Sequence, residues 1–359
     1  MPAIHTRGPA LTLRAGAEAR RHLLEHGLRA GDISVIPGAA GGPKALGIAG
    51  LDQAVFGEFL PSAPRPRTLI GASIGSWRFA AVAGGDPVAG LERLADLYSR
   101  QRFPKGITAR EVTQRCARML ADLLEDRDAT VLDNPHYRLV VVVIRSRALI
   151  SGEGRLGLGL GLAGVIGGNL LSRRALGAFM ERGLVHAGDG PLPLGPLNDF
   201  ATHHIPLDRA NLRAALLASA AIPMVLEGVR DLPGAPPGVY RDGGLLDYHL
   251  DLPYQTDDLV LYPHFTDRVI PGWFDKPLRW RNGNAGRLSR TVLLAPSADY
   301  LASLPRGKLP DRTDFKYYQN DDAGRERYWR QAIGESRRLG DEFLELVQSG
   351  RLAQRVAAL

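Results

Sequence analysis

A serine between small residues and an aspartate before two glycines are the side chains of this sequence best suited to nucleophilic chemistry. Ser73 lies in Gly-Ala-Ser-Ile-Gly at residues 71–75. Small flanking residues permit a sharp turn from a strand into a helix, and such a turn exposes the hydroxyl above the edge of a sheet. Because a serine hydroxyl needs a base within hydrogen-bond reach, we predict that Asp242, in Tyr-Arg-Asp-Gly-Gly at residues 240–244, is that base.

A glycine loop at residues 38–43 offers hydrogen-bond donors for the negative oxygen that forms on a substrate carbonyl. Backbone N–H groups at the start of a helix lack intrahelical partners and lie at the positive end of the helix dipole. We predict that Gly41 and Gly42 are the donors and that Lys44 adds a positive charge beside them. The N–H of Ile74, directly after the serine, is a third candidate.

Four further glycines are expected to support these segments. Gly71 and Gly75 flank the serine, whereas Gly243 and Gly244 follow the aspartate. Since glycine has no side chain, these residues allow the aspartate loop to approach the serine turn closely.

Apolar, β-branched runs alternate with helical segments along the chain. This alternation predicts a mostly parallel central sheet between two layers of helices, which is a three-layer α/β/α fold. The glycine loop and the serine turn each follow a predicted strand and precede a predicted helix. Strands are predicted at residues 33–36, 67–70, 137–144, 259–262 and 291–294, and helices at residues 45–56, 77–82, within 87–128 and at 325–346.

The chain is divided into three parts on these patterns. Residues 1–30 are predicted to form an N-terminal helical segment, and residues 31–265 the catalytic domain. Residues 266–359, which are charged and aromatic, are predicted to be a C-terminal helical extension packed on the same domain.

The composition is that of a soluble globular protein. Of 359 residues, 45% are hydrophobic and 23% are charged, which is ordinary for this class. The net charge of +7 favours anionic surroundings. The basic residues are spread along the chain without a dense block, so we expect no nucleic-acid partner.

The lone cysteine, Cys116, excludes a disulfide within the chain and a multi-cysteine zinc site, which fits a reducing compartment. We expect it to be a core thiol. Residues 1–30 have no apolar run behind a basic start, so no secretory signal is expected. These features predict a cytoplasmic protein. Its basic charge is also compatible with peripheral contact at the inner face of a membrane.

Residues 156–171 contain no charged side chain and consist mainly of leucine and glycine. The run is shorter than the roughly 18 apolar residues of a bilayer-spanning helix. Three interpretations stay open at this point: a core segment, a lid over an apolar site, and a patch that contacts an anionic membrane surface.

Four segments together resemble the patatin-like phospholipases. Residues 40–45 are similar to the oxyanion loop of that family, residues 71–76 to its nucleophile turn, and residues 240–244 to its second catalytic motif. The small-residue segment 218–223 is similar to the one that precedes that motif. The resemblance covers residues 33–253, and the departures are Ala40 and Ala45, where the family often has glycine.

The resemblance implies a patatin-like fold and a Ser-Asp dyad that works without histidine, metal or cofactor. Ser73 would attack an ester carbonyl, and Asp242 would accept the hydroxyl proton and return it to the leaving alcohol. Water would then release the acyl group, while Gly41 and Gly42 hold the oxyanion. The implied activity is lipid acyl hydrolysis of the phospholipase A or lysophospholipase type.

Other functions use the same residues. A carboxylesterase, a storage-polyester hydrolase and an acyltransferase would share the acyl-enzyme. Outside this chemistry, the glycine loop is compatible with a nucleotide-binding module, although Lys44 precedes alanine where a P-loop has serine or threonine. A non-catalytic, membrane-associated scaffold of the same fold is the remaining alternative.

A histidine could instead complete a triad with Ser73 and Asp242. The order Asp242 then His264 is compatible with an α/β-hydrolase triad. Adjacent histidines at 203 and 204 would point to opposite faces of a strand, which disfavours a metal pair. The candidates in the C-terminal half are His186, His203, His204, His249 and His264.

Overall fold

The computed structural model describes residues 8–359, and one large sheet runs through them. The first seven residues of the predicted N-terminal segment lie outside the described residues. The strands are β1 (Leu11–Ala15), β2 (Ile33–Gly38), β3 (Arg67–Ala72), β4 (Tyr137–Ser146), β5 (Met180–His186), β6 (Thr202–Pro206), β7 (Val229–Arg230), β8 (Val239–Asp242), β9 (Leu259–Pro263), β10 (Thr291–Pro296) and β11 (Val356–Ala358).

Helices cover the two faces of this sheet and give the three-layer α/β architecture that the sequence predicts. They are α1 (Ala17–His26), α2 (Ala49–Ala54), α3 (Ile74–Ala83), α4 (Pro87–Ser99), α5 (Ala109–Leu124), α6 (Asp128–Leu132), α7 (Arg155–Leu171), α8 (Leu212–Ser219), α9 (Ala298–Ser303), α10 (Thr313–Tyr317), α11 (Asp322–Glu335), α12 (Arg337–Gln348) and α13 (Leu352–Arg355).

The sheet is mostly parallel, and its strand order is β11-β1-β10-β9-β2-β3-β4-β5-β6. β8 pairs antiparallel with β4 and carries β7 on its other side. Residues 139–144 of β4 have no exposed surface. Such continuous apolar burial is typical of a strand covered on both faces.

All five predicted strands are confirmed, but the terminal regions contain more strand than the sequence suggests. In the N-terminal segment, β1 precedes the predicted helix and pairs antiparallel with β10. In the C-terminal part, the unpredicted β11 joins the same sheet as the predicted strand β10. The two terminal regions therefore extend the central sheet in addition to supplying helices.

Strand pairing brings the three predicted catalytic segments to one edge. β2 and β3 are parallel neighbours, with Gly38 paired to Gly71, so the glycine loop and the serine turn leave the sheet side by side. Ala72 of β3 pairs with Val142 of β4, and the next β4 residue pairs with Asp242 of β8. Ala72 and Asp242, which are 170 positions apart in sequence, therefore pair with consecutive residues of β4.

The segment 156–171 forms helix α7, which has two apolar faces. Leu158 and Val165 are buried in a small apolar cluster with Ile144 and Ile150. The opposite face exposes leucine and isoleucine side chains to solvent. In residues 8–359, none of the helices combines the length and hydropathy needed to cross a bilayer. The exposed side chains of α7 are Leu156, Leu160, Ile166, Leu170 and Leu171.

Candidate active site

Ser73 occupies the turn between β3 and α3 with a backbone that serine rarely adopts. Its φ of 54° and ψ of −128° lie outside the regions favoured by residues with a side chain. Such a conformation costs about 1–3 kcal/mol and concentrates at functional sites. Gly75 is required beside it, because a Cβ there would lie 1.9 Å from the Gly38 carbonyl oxygen.

The Ser73 hydroxyl donates a hydrogen bond to Oδ2 of Asp242 at 2.7 Å. The other carboxylate oxygen, Oδ1, accepts from the backbone N–H of Gly244 at 2.8 Å. Both side chains are buried, at 3% and 5% exposure. The carboxylate is thus fixed at both oxygens and faces the serine at the distance that proton transfer requires.

The environment of Asp242 makes it a stronger base than an ordinary aspartate. Burial raises its pKa to about 6, although the hydrogen bond from Ser73, the charge of Arg312 and the N–H of Gly244 act in the opposite direction. A general base is most effective when its pKa lies near the working pH. Asp242 is therefore ionised at neutral pH and still able to hold a proton.

Ser219, at the end of α8, holds the serine turn in place. Its Oγ accepts from the Ser73 N–H at 2.9 Å and donates to the Val142 carbonyl at 2.7 Å. Two residues on, the Ala221 carbonyl accepts from the N–H of Asp242 at 3.1 Å. The small-residue segment 218–223 therefore contacts both members of the Ser-Asp pair.

The three predicted oxyanion donors line the same two cavities as Ser73. Within the described residues, no protein acceptor binds the N–H groups of Gly41, Gly42 or Ile74. Gly42 has φ of +56°, a conformation that favours glycine. Ala40, where the patatin-like pattern often has glycine, contacts the aspartate loop. A Cβ at Gly244 would lie 2.5 Å from the Cβ of Ala40. The loop keeps free donors beside the nucleophile despite this alanine.

Two cavities of different character meet at Ser73. The first, of about 180 Å³, exposes polar and apolar surface in similar amounts, and it is called the polar cavity because Lys44, Lys276 and Arg312 line it together with Asp242. The second, of about 350 Å³, is mainly apolar. Ser73, Ile222 and Arg312 line both. The apolar walls of the larger cavity include Trp77, Tyr98, Phe103, Ile107, Val112, Met119, Val225, Leu226 and Phe315.

The histidines lie away from this pair. Among residues 8–359, no histidine hydrogen-bonds to Ser73 or Asp242. His264 is buried, and burial lowers its pKa to about 3. Its Nδ1 accepts from the N–H of Thr266. His249 packs against it and has a pKa well below the usual value, mainly because of burial. Both imidazole rings are therefore neutral at neutral pH, and neither forms a hydrogen bond with Ser73 or Asp242.

The remaining candidate residues have separate structural roles. His203 contacts Glu181 at 3.0 Å, whereas His204 packs on the ring of His186. In the part of the chain that the structure describes, no cluster of three or more His, Cys, Asp or Glu residues could hold a metal ion. Cys116 is half-buried in the wall of the apolar cavity, where burial raises its pKa to about 11.

Sequence reasoning missed Ser219, Lys276 and Arg312. Ser219 lies inside a segment that the resemblance singles out, but a side-chain bond to a backbone N–H 146 residues away has no sequence signature. Lys276 and Arg312 lie in the C-terminal part, for which we predicted a helical extension and no site residue. The excess of basic residues was the one signal that pointed toward them.

No protein-family model matches the chain, and the search of curated proteins found no match. The proposed function therefore depends on the geometry of the site.

Proposed function

We propose that the protein is a serine acyl hydrolase of lipid esters, patatin-like in its Ser73–Asp242 dyad. The observation that carries the proposal is the 2.7 Å hydrogen bond between these residues at the junction of an apolar and a polar cavity. An apolar cavity of about 350 Å³ fits an acyl chain, and the polar cavity fits the alcohol portion of an ester.

The reaction begins when the Ser73 hydroxyl attacks the ester carbonyl and transfers its proton to Asp242. The negative carbonyl oxygen then lies among the free N–H groups of Gly41, Gly42 and Ile74, which stabilise it. As the C–O bond breaks, Asp242 returns the proton to the leaving alcohol. A water molecule next gives its proton to Asp242, attacks the acyl-enzyme and releases the carboxylic acid, and Ser73 regains its proton.

The test is hydrolysis of p-nitrophenyl esters together with labelling by a fluorophosphonate. We expect turnover and one covalent adduct on Ser73, both lost in Ser73→Ala. Ser99→Ala is the matched control, because Ser99 is a fully buried serine outside the site. Unchanged turnover in Ser73→Ala would refute the nucleophile assignment. A His264→Gln variant as inactive as Ser73→Ala would favour a triad.

The exposed face of α7 supports contact with an anionic bilayer as part of this function. Leu156 and Leu171 are 85% and 89% exposed, and the 72% exposed Trp280 precedes Arg281, which donates to the Asn169 carbonyl of α7. Arg155 and Arg174 are exposed beside the two ends of the helix. Apolar side chains bordered by arginine and tryptophan are typical of helices that lie in a membrane interface.

This face is linked to the site. Asn169 of α7 donates to Asp275 at 2.8 Å, and Trp273, two residues earlier, lines the polar cavity. A bilayer bound to α7 would therefore lie next to the segment that forms the cavity wall. Lipid substrates could then reach Ser73 without crossing bulk water.

Co-sedimentation with vesicles tests the membrane contact. We expect binding to vesicles that contain phosphatidylglycerol, weaker binding to phosphatidylcholine alone, and loss of binding in Leu160→Ser/Leu171→Ser. Leu24→Ser is the control, since Leu24 is 70% exposed on α1. If the wild type is instead a dimer that the α7 variant dissociates, a second copy covers this face and the membrane proposal is wrong.

A further inference from the structure

We infer that the polar cavity binds an anionic group, a phosphate or a carboxylate, on the alcohol portion of the substrate. This inference rests on the proposed acyl hydrolysis and narrows its substrate class. It follows from three cations that line the cavity beside Ser73: Lys44, Lys276 and Arg312.

These cations have no carboxylate partner of their own. Within residues 8–359, no ion pair or hydrogen bond to a carboxylate is formed by Lys44, Lys276 or Arg312. Lys44 Nζ lies 5.0 Å from the ring centre of Phe265. Lys276 Nζ lies 5.3 Å from the ring centre of Tyr248 and 5.6 Å from that of Trp273. Aromatic faces hold both ammonium groups while leaving their hydrogen-bond donors available.

The one nearby carboxylate besides Asp242 is already engaged. Asp311 lines the cavity, but its Oδ2 contacts Lys308 at 2.8 Å and its Oδ1 accepts from Thr313. Lys308 thus competes with Lys44 for the negative charge of Asp311. The cavity consequently keeps an excess of positive charge.

The two lysines disfavour each other as charged groups. Burial lowers the pKa of Lys276, and the charges of Lys44 and Arg312 lower it further. Burial also lowers the pKa of Lys44, with Lys308 and Arg312 acting in the same direction against Asp311. An anion placed between them would relieve this repulsion, so the cavity is more complementary to an anion than to a neutral alcohol.

Geometry assigns the anion to the alcohol side of the ester. Lys44 and Lys276 line the polar cavity and not the apolar one, which Arg312 alone of the three cations also lines. All three cations share the polar cavity with Asp242, which must reach the leaving oxygen. The phosphate or carboxylate is therefore joined to the alcohol that leaves.

Paired esters with one acyl chain test this selectivity. We compare kcat/KM for three esters: the neutral 1-acylglycerol, 1-acylglycerol 3-phosphate, and 3-acyloxybutanoate, whose alcohol portion carries a free carboxylate. We expect an advantage of about tenfold or more for the anionic esters, since a hydrogen bond to a charged group contributes about 1.5–3 kcal/mol. Lys276→Gln and Arg312→Gln should each reduce the ratio, and the double variant should bring it near one. Lys316→Gln, an exposed lysine outside the cavity, should leave the ratio unchanged.

A binding measurement separates this inference from the proposed reaction. Glycerol 3-phosphate should raise the melting temperature of Ser73→Ala, glycerol should not, and Lys276→Gln/Arg312→Gln should abolish the effect. A response to glycerol 3-phosphate but not to 3-hydroxybutanoate assigns the site to phosphate, and the reverse assigns it to carboxylate. Equal turnover of neutral and anionic esters, or no binding of either anion, overturns the inference. Loss of all Ser73-dependent turnover with anion binding intact would overturn only the hydrolase proposal.

Discussion

The side chain of Ser219 joins the backbone N–H of Ser73 to the carbonyl of Val142 through two hydrogen bonds, at 2.9 Å and 2.7 Å. It spans the gap between the strained turn and the end of β4. Because Asp242 pairs with the next residue of β4, this bridge sets the position of Ser73 relative to Asp242. We therefore expect Ser219 to act as a positioning residue of the proposed dyad.

Ser219→Ala should weaken both the fold and the reaction. The change leaves the buried N–H of Ser73 and the carbonyl of Val142 without their partner, and one unsatisfied buried group costs about 1–3 kcal/mol. We expect a loss of that size in the free energy of unfolding by urea, and a fall in kcat that exceeds the rise in KM. Ser99→Ala removes a buried hydroxyl with one bond, to the Asp96 carbonyl, and should leave kcat unchanged. A normal kcat in Ser219→Ala would remove its positioning role.

Ser73→Gly should be more stable than Ser73→Ala, although we expect both variants to be inactive. Glycine adopts the φ of 54° without the steric cost that alanine retains. Part of this gain is offset by the greater freedom of glycine in the unfolded chain, so we expect a difference of about 1 kcal/mol. Urea denaturation of the two variants measures it. Equal stabilities would mean that the turn stores no strain.

The sequence is informative about the dyad because its chemistry is local. Small residues around Ser73 and the glycines after Asp242 indicate that the backbone packs closely there. The structure has this close packing, of Gly75 against Gly38 and of Gly243 against Val142. Lys276 and Arg312 could not be placed, since no local pattern shows which surface a long, flexible side chain reaches. β1 was also missed, because a five-residue strand is short and its pairing with β10 spans almost the whole chain.

Asp242 predicts a specific pH dependence of activity. The base must be ionised, so kcat/KM should fall as the pH drops below about 6, where the Asp242 carboxylate takes up a proton. Arg312 lowers this pKa, and Arg312→Gln should therefore move the midpoint to higher pH. Lys316→Gln should leave the midpoint in place. A wild-type midpoint near 4 would show that burial does not raise the pKa of the carboxyl.

The same shift predicts the effect of Asp242→Asn on stability. The folded protein binds the Asp242 proton more tightly than the unfolded chain, whose pKa is near 3.8. Its contribution to stability is thus fully present only below the unfolded pKa of 3.8 and is lost as the pH rises through about 6. Between pH 4 and pH 7, the stability of Asp242→Asn relative to that of wild type should therefore rise by about 2 kcal/mol. Urea denaturation at the two pH values measures this gain, and a difference independent of pH would contradict it.

Glycines in α7 should make this helix open more readily than its neighbours. A Cβ at Gly159 or Gly167 would meet nothing within 4 Å, so packing does not require glycine there. Each glycine nevertheless weakens a helix by roughly 0.5–1 kcal/mol relative to alanine. Gly159→Ala and Gly167→Ala should each raise stability by that amount and slow amide hydrogen exchange in α7.

Gly161 gives the matched comparison on the buried face of the same helix. There a Cβ would lie 2.8 Å from the Ile150 side chain and 3.1 Å from the Ile150 backbone nitrogen, so Gly161→Ala must displace the segment beneath it. We expect this variant to lose stability and to exchange faster, in contrast to the two exposed sites. If all three alanines stabilise α7 equally, the helix does not pack on Ile150. If the exposed pair has no effect on exchange, glycine content does not control the opening of α7, and its exposed leucines are presented on a rigid helix.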